Sequence, residues 1–273
     1  MRKLCISFCM LLIASVLFYS CEQSQDATVS TKVSADVLSQ LVSLGFDVTD
    51  RAPFKVDNGY LVEGDIFLTS TDLSSMKKGE RVPEVEQYST NNLVKSLPRN
   101  ITVFIPSTFS STYVSAVDVA IARYNALGLS LTFSRVNSGT GAGISFVRLS
   151  RSLERQGVLG SSGFPTASGN PFNQIQMSGI LQSTYGLSVN GIATIMAHEM
   201  GHCIGFRHTD FFDRSISCGG ATSNEGVTST GANLIPGTPS GATLAGKSWM
   251  LACTDGGDRP FNADDKVALN FLY

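Results

Sequence analysis

All three histidines of this 273-residue chain fall within eleven residues, in the string His198-Glu199-Met200-Gly201-His202-Cys203-Ile204-Gly205-Phe206-Arg207-His208. At about 3.6 residues per helical turn, positions four apart share one face, so His198 and His202 project together. Two imidazoles so placed can both bind one zinc ion, and Glu199 between them is placed to act as general base on a water at that ion. Gly205 can take the left-handed conformation that ends a helix and turns the chain back. That reversal brings His208 into reach as third ligand. A fourth position stays open for water, the pattern of a catalytic zinc site and not a structural one. With 26 glycines and three histidines in the chain, adding the required glycine and third histidine by chance is on the order of one in a thousand, so scattered core or surface histidines do not explain the string.

The extended string resembles the zinc signature of the metzincin metallopeptidases. In the form HEMGHCIGFRHTD it is similar to the bacterial HEIGH-type metallopeptidases of that clan. The resemblance implies a methionine turn beneath the metal, for which Ser248-Trp249-Met250-Leu251, 42 residues after His208, is the candidate. Met250 would form an apolar floor under the imidazoles, although a lone methionine is more often core filler. Leu251 and Ala252 follow it where the astacin family has a tyrosine, so a tyrosine contribution to the transition state is not carried over. The resemblance further implies Zn2+ as cofactor and a protein or peptide as substrate. It implies an α+β fold too: a twisted, mostly parallel sheet, two main helices and a C-terminal helix.

The elements that must position these residues can be read from periodicity. Ile101 to Ile105 alternates like a half-buried strand, and Ser110 to Leu127 carries Val114, Val117, Ile121 and Tyr124 on one helical face before Gly128. Leu129 to Val136 and Ile144 to Leu149 read as further strands. A Gly/Ser/Pro-rich stretch, Gly157 to Pro171, leads to a short strand at Gln174 to Met177, expected to be the sheet edge that receives an extended peptide. The zinc-motif helix runs from about Ser188 to Ile204, and a last helix from about Ala263 to Leu272 has Asn262 as N-cap. Asp210, two past His208, either orients the active-site loops or is a surface turn residue.

Three regions are expected: a signal segment at 1–20, a propeptide-like segment and linker at 21–98, and the peptidase domain at 99–273. Arg2 and Lys3 precede an apolar run, Cys9 to Phe18, too short to span a membrane. The run ends at Phe18-Tyr19-Ser20-Cys21, which resembles a bacterial lipobox with Cys21 as the acylated residue; ordinary secretion is the alternative. Either way the mature chain lies outside the cytoplasm, touching a membrane only through a lipid anchor. Val37, Leu38, Leu41 and Leu44 recur at helical spacing up to Gly45, and Tyr60 to Leu68 reads as one strand interrupted by Gly64. The polar stretch from Met76 to Pro98 reads as an exposed linker. Within the strand, Leu61-Val62-Glu63-Gly64-Asp65-Ile66 resembles a short astacin propeptide motif, which implies Asp65 as an inhibitory zinc ligand. The competing reading of Gly64-Asp65 is a β-turn or bulge.

The formal net charge of −2 falls to −4 once Arg2 and Lys3 leave with the signal, and no basic run suggests nucleic acid. Outside the cytoplasm a disulfide is permitted. Cys218 and Cys253, on loops either side of the methionine turn, are the preferred pair. Cys203, about 140° round the helix from His198, reads as a buried free thiol, with a Cys203 bridge as rival. These features point to an exported, monomeric zinc endopeptidase with Glu199 as base, latent through Asp65. The rivals are a non-catalytic surface binding protein on the same scaffold, against which Glu199 argues, and a zinc hydrolase of a non-peptide bond.

Overall fold

The computed structural model describes residues 32–49, 51–77, 87–239 and 247–273. The signal segment, Cys21, Lys78 and Arg81 lie outside the described residues. Among the described residues no helix is long and apolar enough to cross a membrane.

The N-terminal unit starts with helix α1 (Ala35–Leu44), capped by the Ser34 hydroxyl and closed by Gly45. Strands β1 (Phe54–Val56), β2 (Gly59–Val62) and β3 (Ile66–Thr69) form an antiparallel sheet, and α2 (Ser70–Ser75) follows behind a Thr69–Asp72 capping box. Leu41, Leu44 and Phe46 pack on Val62, Ile66, Leu68 and Leu73, so this unit has a small core of its own. The stretch expected to be one interrupted strand is instead a hairpin. Val62 faces Ile66, and the chain reverses through Glu63 (φ 55°), Gly64 (φ 99°) and Asp65. Alternating apolar residues are the same on either side of a reversal, so the pattern cannot distinguish the two.

The stretch 87–90 of the expected linker is not exposed, whereas Asn91 and residues 95–98 are. Gln87, Tyr88, Ser89 and Thr90 are buried, and β4 (Tyr88–Ser89) is paired within the C-terminal unit. Gln87 has polar partners that repay its burial: its Nε2 donates to Asp265 Oδ1 at 2.6 Å and Ser248 Oγ at 3.1 Å.

The C-terminal unit is built on β5 (Arg99–Phe104), helix α3 (Ser111–Asn125), β6 (Leu131–Val136), β7 (Ile144–Arg148), short helix α4 (Arg151–Arg155), β8 (Gly160–Ser161) and β9 (Gln174–Met177). The sheet order is β6-β5-β7-β9-β8; every pairing is parallel except that of β8 with β9. The fold is therefore α+β with a mostly parallel sheet. Gln174–Met177 is not the edge, a correction to the sequence reading. It lies between β7 and β8, and β8 is the outer strand. A two-residue strand in a Gly/Ser/Pro-rich stretch has no alternation to reveal it.

Helix α5 (Val189–Ile204) packs against α3 and the sheet, followed by α6 (Ser215–Cys218), β10 (Asn233–Leu234), which pairs with β4, and α7 (Ala263–Leu272). Tyr124 of α3 donates its hydroxyl to the Ala197 carbonyl of α5 at 2.7 Å. Phe261 packs on both Tyr124 and Trp249, with ring centroids 4.8 and 5.0 Å away. Such aromatic pairs contribute about 0.5–1.5 kcal/mol each beyond area burial, and here they fix Trp249 against the metal-motif helix.

Candidate metal and catalytic site

Helix α5 presents His198 and His202 from one face, and its end decides where the third histidine goes. Gly205 sits at φ 114°, where its N–H bonds the Gly201 and His202 carbonyls. A side chain there would be strained, which is why glycine closes this helix. The chain then runs beside β4: Thr90 N donates to Gly205 O, and Arg207 N to Tyr88 O. That short pairing carries His208 back over α5.

The three imidazoles converge through Nε2. His202 Nε2 lies 3.1 Å from His198 Nε2 and 3.2 Å from His208 Nε2. Their Nδ1 atoms point outward to acceptors. His198 Nδ1 meets Trp249 O and His202 Nδ1 meets Phe206 O, each at 2.8 Å, while His208 Nδ1 meets Glu225 Oε1. A carbonyl can only accept, so each Nδ1 facing one carries the proton and each inner Nε2 presents a lone pair. Lone pairs facing one another at these distances need a cation between them. Nitrogen ligands at about 2.0–2.1 Å on a tetrahedron are roughly 3.3 Å apart, so the donor set fits zinc. Burial first, and then the neighbouring rings of His198 and His208, hold His202 well below its ordinary pKa, which favours the neutral form that a ligand needs.

Asp65 enters the same group from the tip of the β2–β3 hairpin. Its Oδ2 lies 3.0 Å from His208 Nε2 and 3.5 Å from His198 Nε2. One atom from each of Asp65, His198, His202 and His208 lies within 4.8 Å of the other three. Burial alone would raise the Asp65 carboxyl, but the charge of His208 and bonds to His198 and His208 outweigh it and hold the group well below its usual range. The hairpin is also joined to the sheet edge. Ser162, just past β8, donates its N–H to Asp65 O at 3.0 Å, and Phe67 N donates to Ser162 O at 2.8 Å. Both readings of Gly64-Asp65 therefore describe part of it: a turn, with its aspartate at the histidines.

Glu199 is 2 % exposed and accepts from the Ser162 hydroxyl at 2.8 Å. Its side chain lies close against β8, since a Cβ on Gly160 would come within 2.6 Å of Glu199 Oε1. Burial, together with the charge of Asp65, pushes its carboxyl well above the ordinary value, the direction that favours proton uptake by a general base. Met250 is fully buried beneath α5, where a Cβ on Gly201 would lie 2.6 Å from its sulfur. The turn is tied on both sides: Thr209 N donates to Met250 O at 2.8 Å, and Trp249 N to Asp265 Oδ2 at 3.2 Å.

Asp210 is buried and accepts from Ser217 Oγ and Ala252 N, at 2.5 and 2.8 Å. It ties together the two loops that the Cys218–Cys253 disulfide also joins. Cys203 is a buried free thiol. Three contributors escaped the sequence reading: Glu225, Ser162 and Gly160. Glu225 accepts from His208 and pairs with two buried cations, Arg207 at 3.3 Å and Arg214 at 2.7 Å. One signal was present. Glu225 is the sole carboxylate between Asp213 and Asp255, in a loop otherwise short of charge.

The model of the family described as dual-action HEIGH metallo-peptidase matches residues 60–273. No curated protein matches the chain. Among solved structures, the one titled "Structure of Myroilysin" aligns at 17% identity and TM-score 0.41, covering 66% of this chain and 82% of that one. A second, "Crystal structure of myroilysin", aligns at 18% identity and TM-score 0.38, covering 70% and 95%. High choriolytic enzyme 1, a hatching enzyme zinc-protease from Oryzias latipes (medaka fish), aligns at 17% identity and TM-score 0.39, covering 64% and 88%.

Proposed function

The chain belongs to the dual-action HEIGH metallo-peptidase family, and from that premise we propose an exported zinc endopeptidase whose general base is Glu199 and whose own Asp65 keeps it latent. It is a zinc peptidase, acting on protein or peptide substrates. The finer reading rests on one observation: a carboxylate from the N-terminal unit and three inward-facing imidazole nitrogens share one small space beside Glu199.

His198, His202 and His208 would hold the zinc, which when bound polarises the scissile carbonyl and makes water more acidic. Glu199 takes the proton of the attacking water and passes it to the leaving amine. Ser162 keeps the Glu199 carboxylate oriented, and Glu225 fixes the ring of His208 through Nδ1. The β8 edge offers free backbone groups to an extended peptide, by strand addition, once the hairpin that lies on it is gone.

Latency follows from that same placement. Asp65, 3.0 Å from His208 Nε2, would take the open ligand position, and β3 lies along the edge that a substrate would use. Cleavage after Lys77, Lys78 or Arg81 would separate the N-terminal unit from a peptidase unit that begins near Gln87. Export is supported by the lipobox-like Phe18 to Cys21 and by the Cys218–Cys253 disulfide, which suits an oxidising compartment. The expected anchor is a lipid on Cys21, and the expected state is a monomer in the bacterial envelope or at its surface.

The test is cleavage of a mixed peptide library by the zinc-loaded chain, before and after limited tryptic treatment. Chelator-sensitive endoproteolysis that increases on treatment is expected. Absence of cleavage in both forms would overturn the peptidase reading.

A further inference from the structure

A cavity of about 310 Å³ opens beside His198 and Glu199, lined by the β8 edge, the middle of α5 and the loop that carries Cys253. Leu159, Ile195, Trp249 and Leu251 give it a largely apolar wall. Two arginines also line it. Arg51 is exposed and belongs to the N-terminal unit, whereas Arg259 is only 3 % exposed and belongs to the peptidase unit.

The partners of Arg259 do not match its burial. A guanidinium carries five N–H donors. Here Nη1 donates to Cys253 O at 3.2 Å, Nη2 lies 3.5 Å from the exposed Asp255 Oδ1, and the buried Nε has no acceptor among the described residues. The other buried arginines near the site, Arg207 and Arg214, share the wholly buried carboxylate of Glu225. Buried cations are ordinarily paired in that way, because an uncompensated charge in an apolar wall is costly. Among the described residues the carboxylate that pairs with Arg259 is that of Asp255, whose side chain is 58 % exposed.

A buried acid lines the same cavity. Glu63 Oε2, at the hairpin tip, is a buried carboxylate oxygen with no donor among the described residues. Glu63 and Asp65 both belong to the unit whose removal is proposed above. Once they leave, the cavity loses two acids and Arg51 and retains Arg259.

The geometry points to this cavity as a subsite for an acidic side chain of the substrate, next to the scissile bond, with Arg259 as the residue that selects it. The assignment rests on the peptidase reading and narrows its substrate class to peptides with Asp or Glu at one of the two positions flanking the cut. The neighbouring His198 and Glu199 place any side chain seated here beside the bond being broken. A bidentate guanidinium–carboxylate pair supplies selectivity that the apolar wall lacks.

The experiment compares paired peptides that differ only by Glu or Gln at each flanking position, cleaved by the zinc-loaded chain, intact and processed. At one position the wild type should favour Glu over Gln in kcat/KM by about ten- to a hundredfold, the range for a charge-assisted hydrogen bond. Arg259→Met should bring that ratio to near one, and Arg259→Lys should retain part of it. A ratio within one preparation is unaffected by the fraction folded. Chelator-sensitive cleavage by wild type without a preference for Glu at either position would overturn the subsite while leaving the peptidase reading intact. A preference unchanged in Arg259→Met would do the same. If no peptide is cleaved by any zinc-loaded form, the peptidase reading falls and the subsite with it.

Discussion

Glu225 accepts a hydrogen bond from Nδ1 of His208 while also pairing, at 2.7 Å, with Arg214, whose Nη2 donates to the carbonyl of Glu63 at 2.9 Å. One buried carboxylate thereby connects the third imidazole of the zinc site to the turn that carries Asp65. The placement of a ligand and the docking of the N-terminal hairpin share a single anchor.

Removing the third imidazole should cost the metal. His208→Ala is expected to bind zinc much more weakly than wild type, because two imidazoles on one helical turn leave the ion without its closing nitrogen. Metal analysis after dialysis against a weak chelator reads this directly. Unchanged stoichiometry and affinity would remove His208 from the ligand set.

Glu199→Gln should keep zinc and lose catalysis, since the amide has almost the same shape but cannot accept the water's proton. Loss of a general base typically costs about a hundred- to ten-thousandfold in rate. Zinc content equal to wild type with kcat reduced in that range is expected. Wild-type turnover would exclude Glu199 as the base.

Much of this arrangement was legible because it is local. Helical spacing aligns His198, His202 and Glu199, and Gly205 ends the helix where its neighbours require a left-handed residue. The partners that orient these side chains come from elsewhere in the chain. Glu225 reaches His208 across an irregular loop, and Ser162 reaches Glu199 from just past a strand of two residues. Neither leaves a periodic trace. Gln87 looked like linker because polar composition cannot show that Asp265, 178 positions later, supplies its buried partner. The direction of the chain at Gly64 was hidden for a related reason, since a hairpin and an interrupted strand share one apolar pattern.

Glu225→Gln should act on both metal and stability. Weakening a group that orients a metal-bound histidine commonly costs about ten- to a hundredfold in affinity. Arg207 and Arg214 would also lose a buried counter-charge, a change of about 3–5 kcal/mol when one partner of a buried pair is removed. A competitive zinc titration and a thermal melt together check the outcome. Wild-type values in both would show that Glu225 does not orient His208.

Acid should expose the same anchor. Burial would raise the Glu225 carboxyl, but the charge and hydrogen bond of His208, then the charges of Arg214 and Arg207, bring it down to about 2. A folded pKa depressed below the unfolded value of about 4.3 contributes stability that is complete above that value and is lost as pH falls toward 2. Denaturant melts between pH 2 and 5 should therefore show a steeper loss in wild type than in Glu225→Gln. Parallel curves would contradict the assignment.

The most direct measurement of the central claim compares peptidase activity of two uncleaved, zinc-loaded chains, wild type and Asp65→Ala. If Asp65 is the group that keeps the site closed, water regains the fourth position in the variant even with the hairpin still docked. Activity should then rise clearly above that of wild type without any cut in the chain, because the open fourth position is what a catalytic zinc needs. Equal activity in the two uncleaved chains would contradict the account, leaving Asp65 as a turn residue and the N-terminal unit without an inhibitory role.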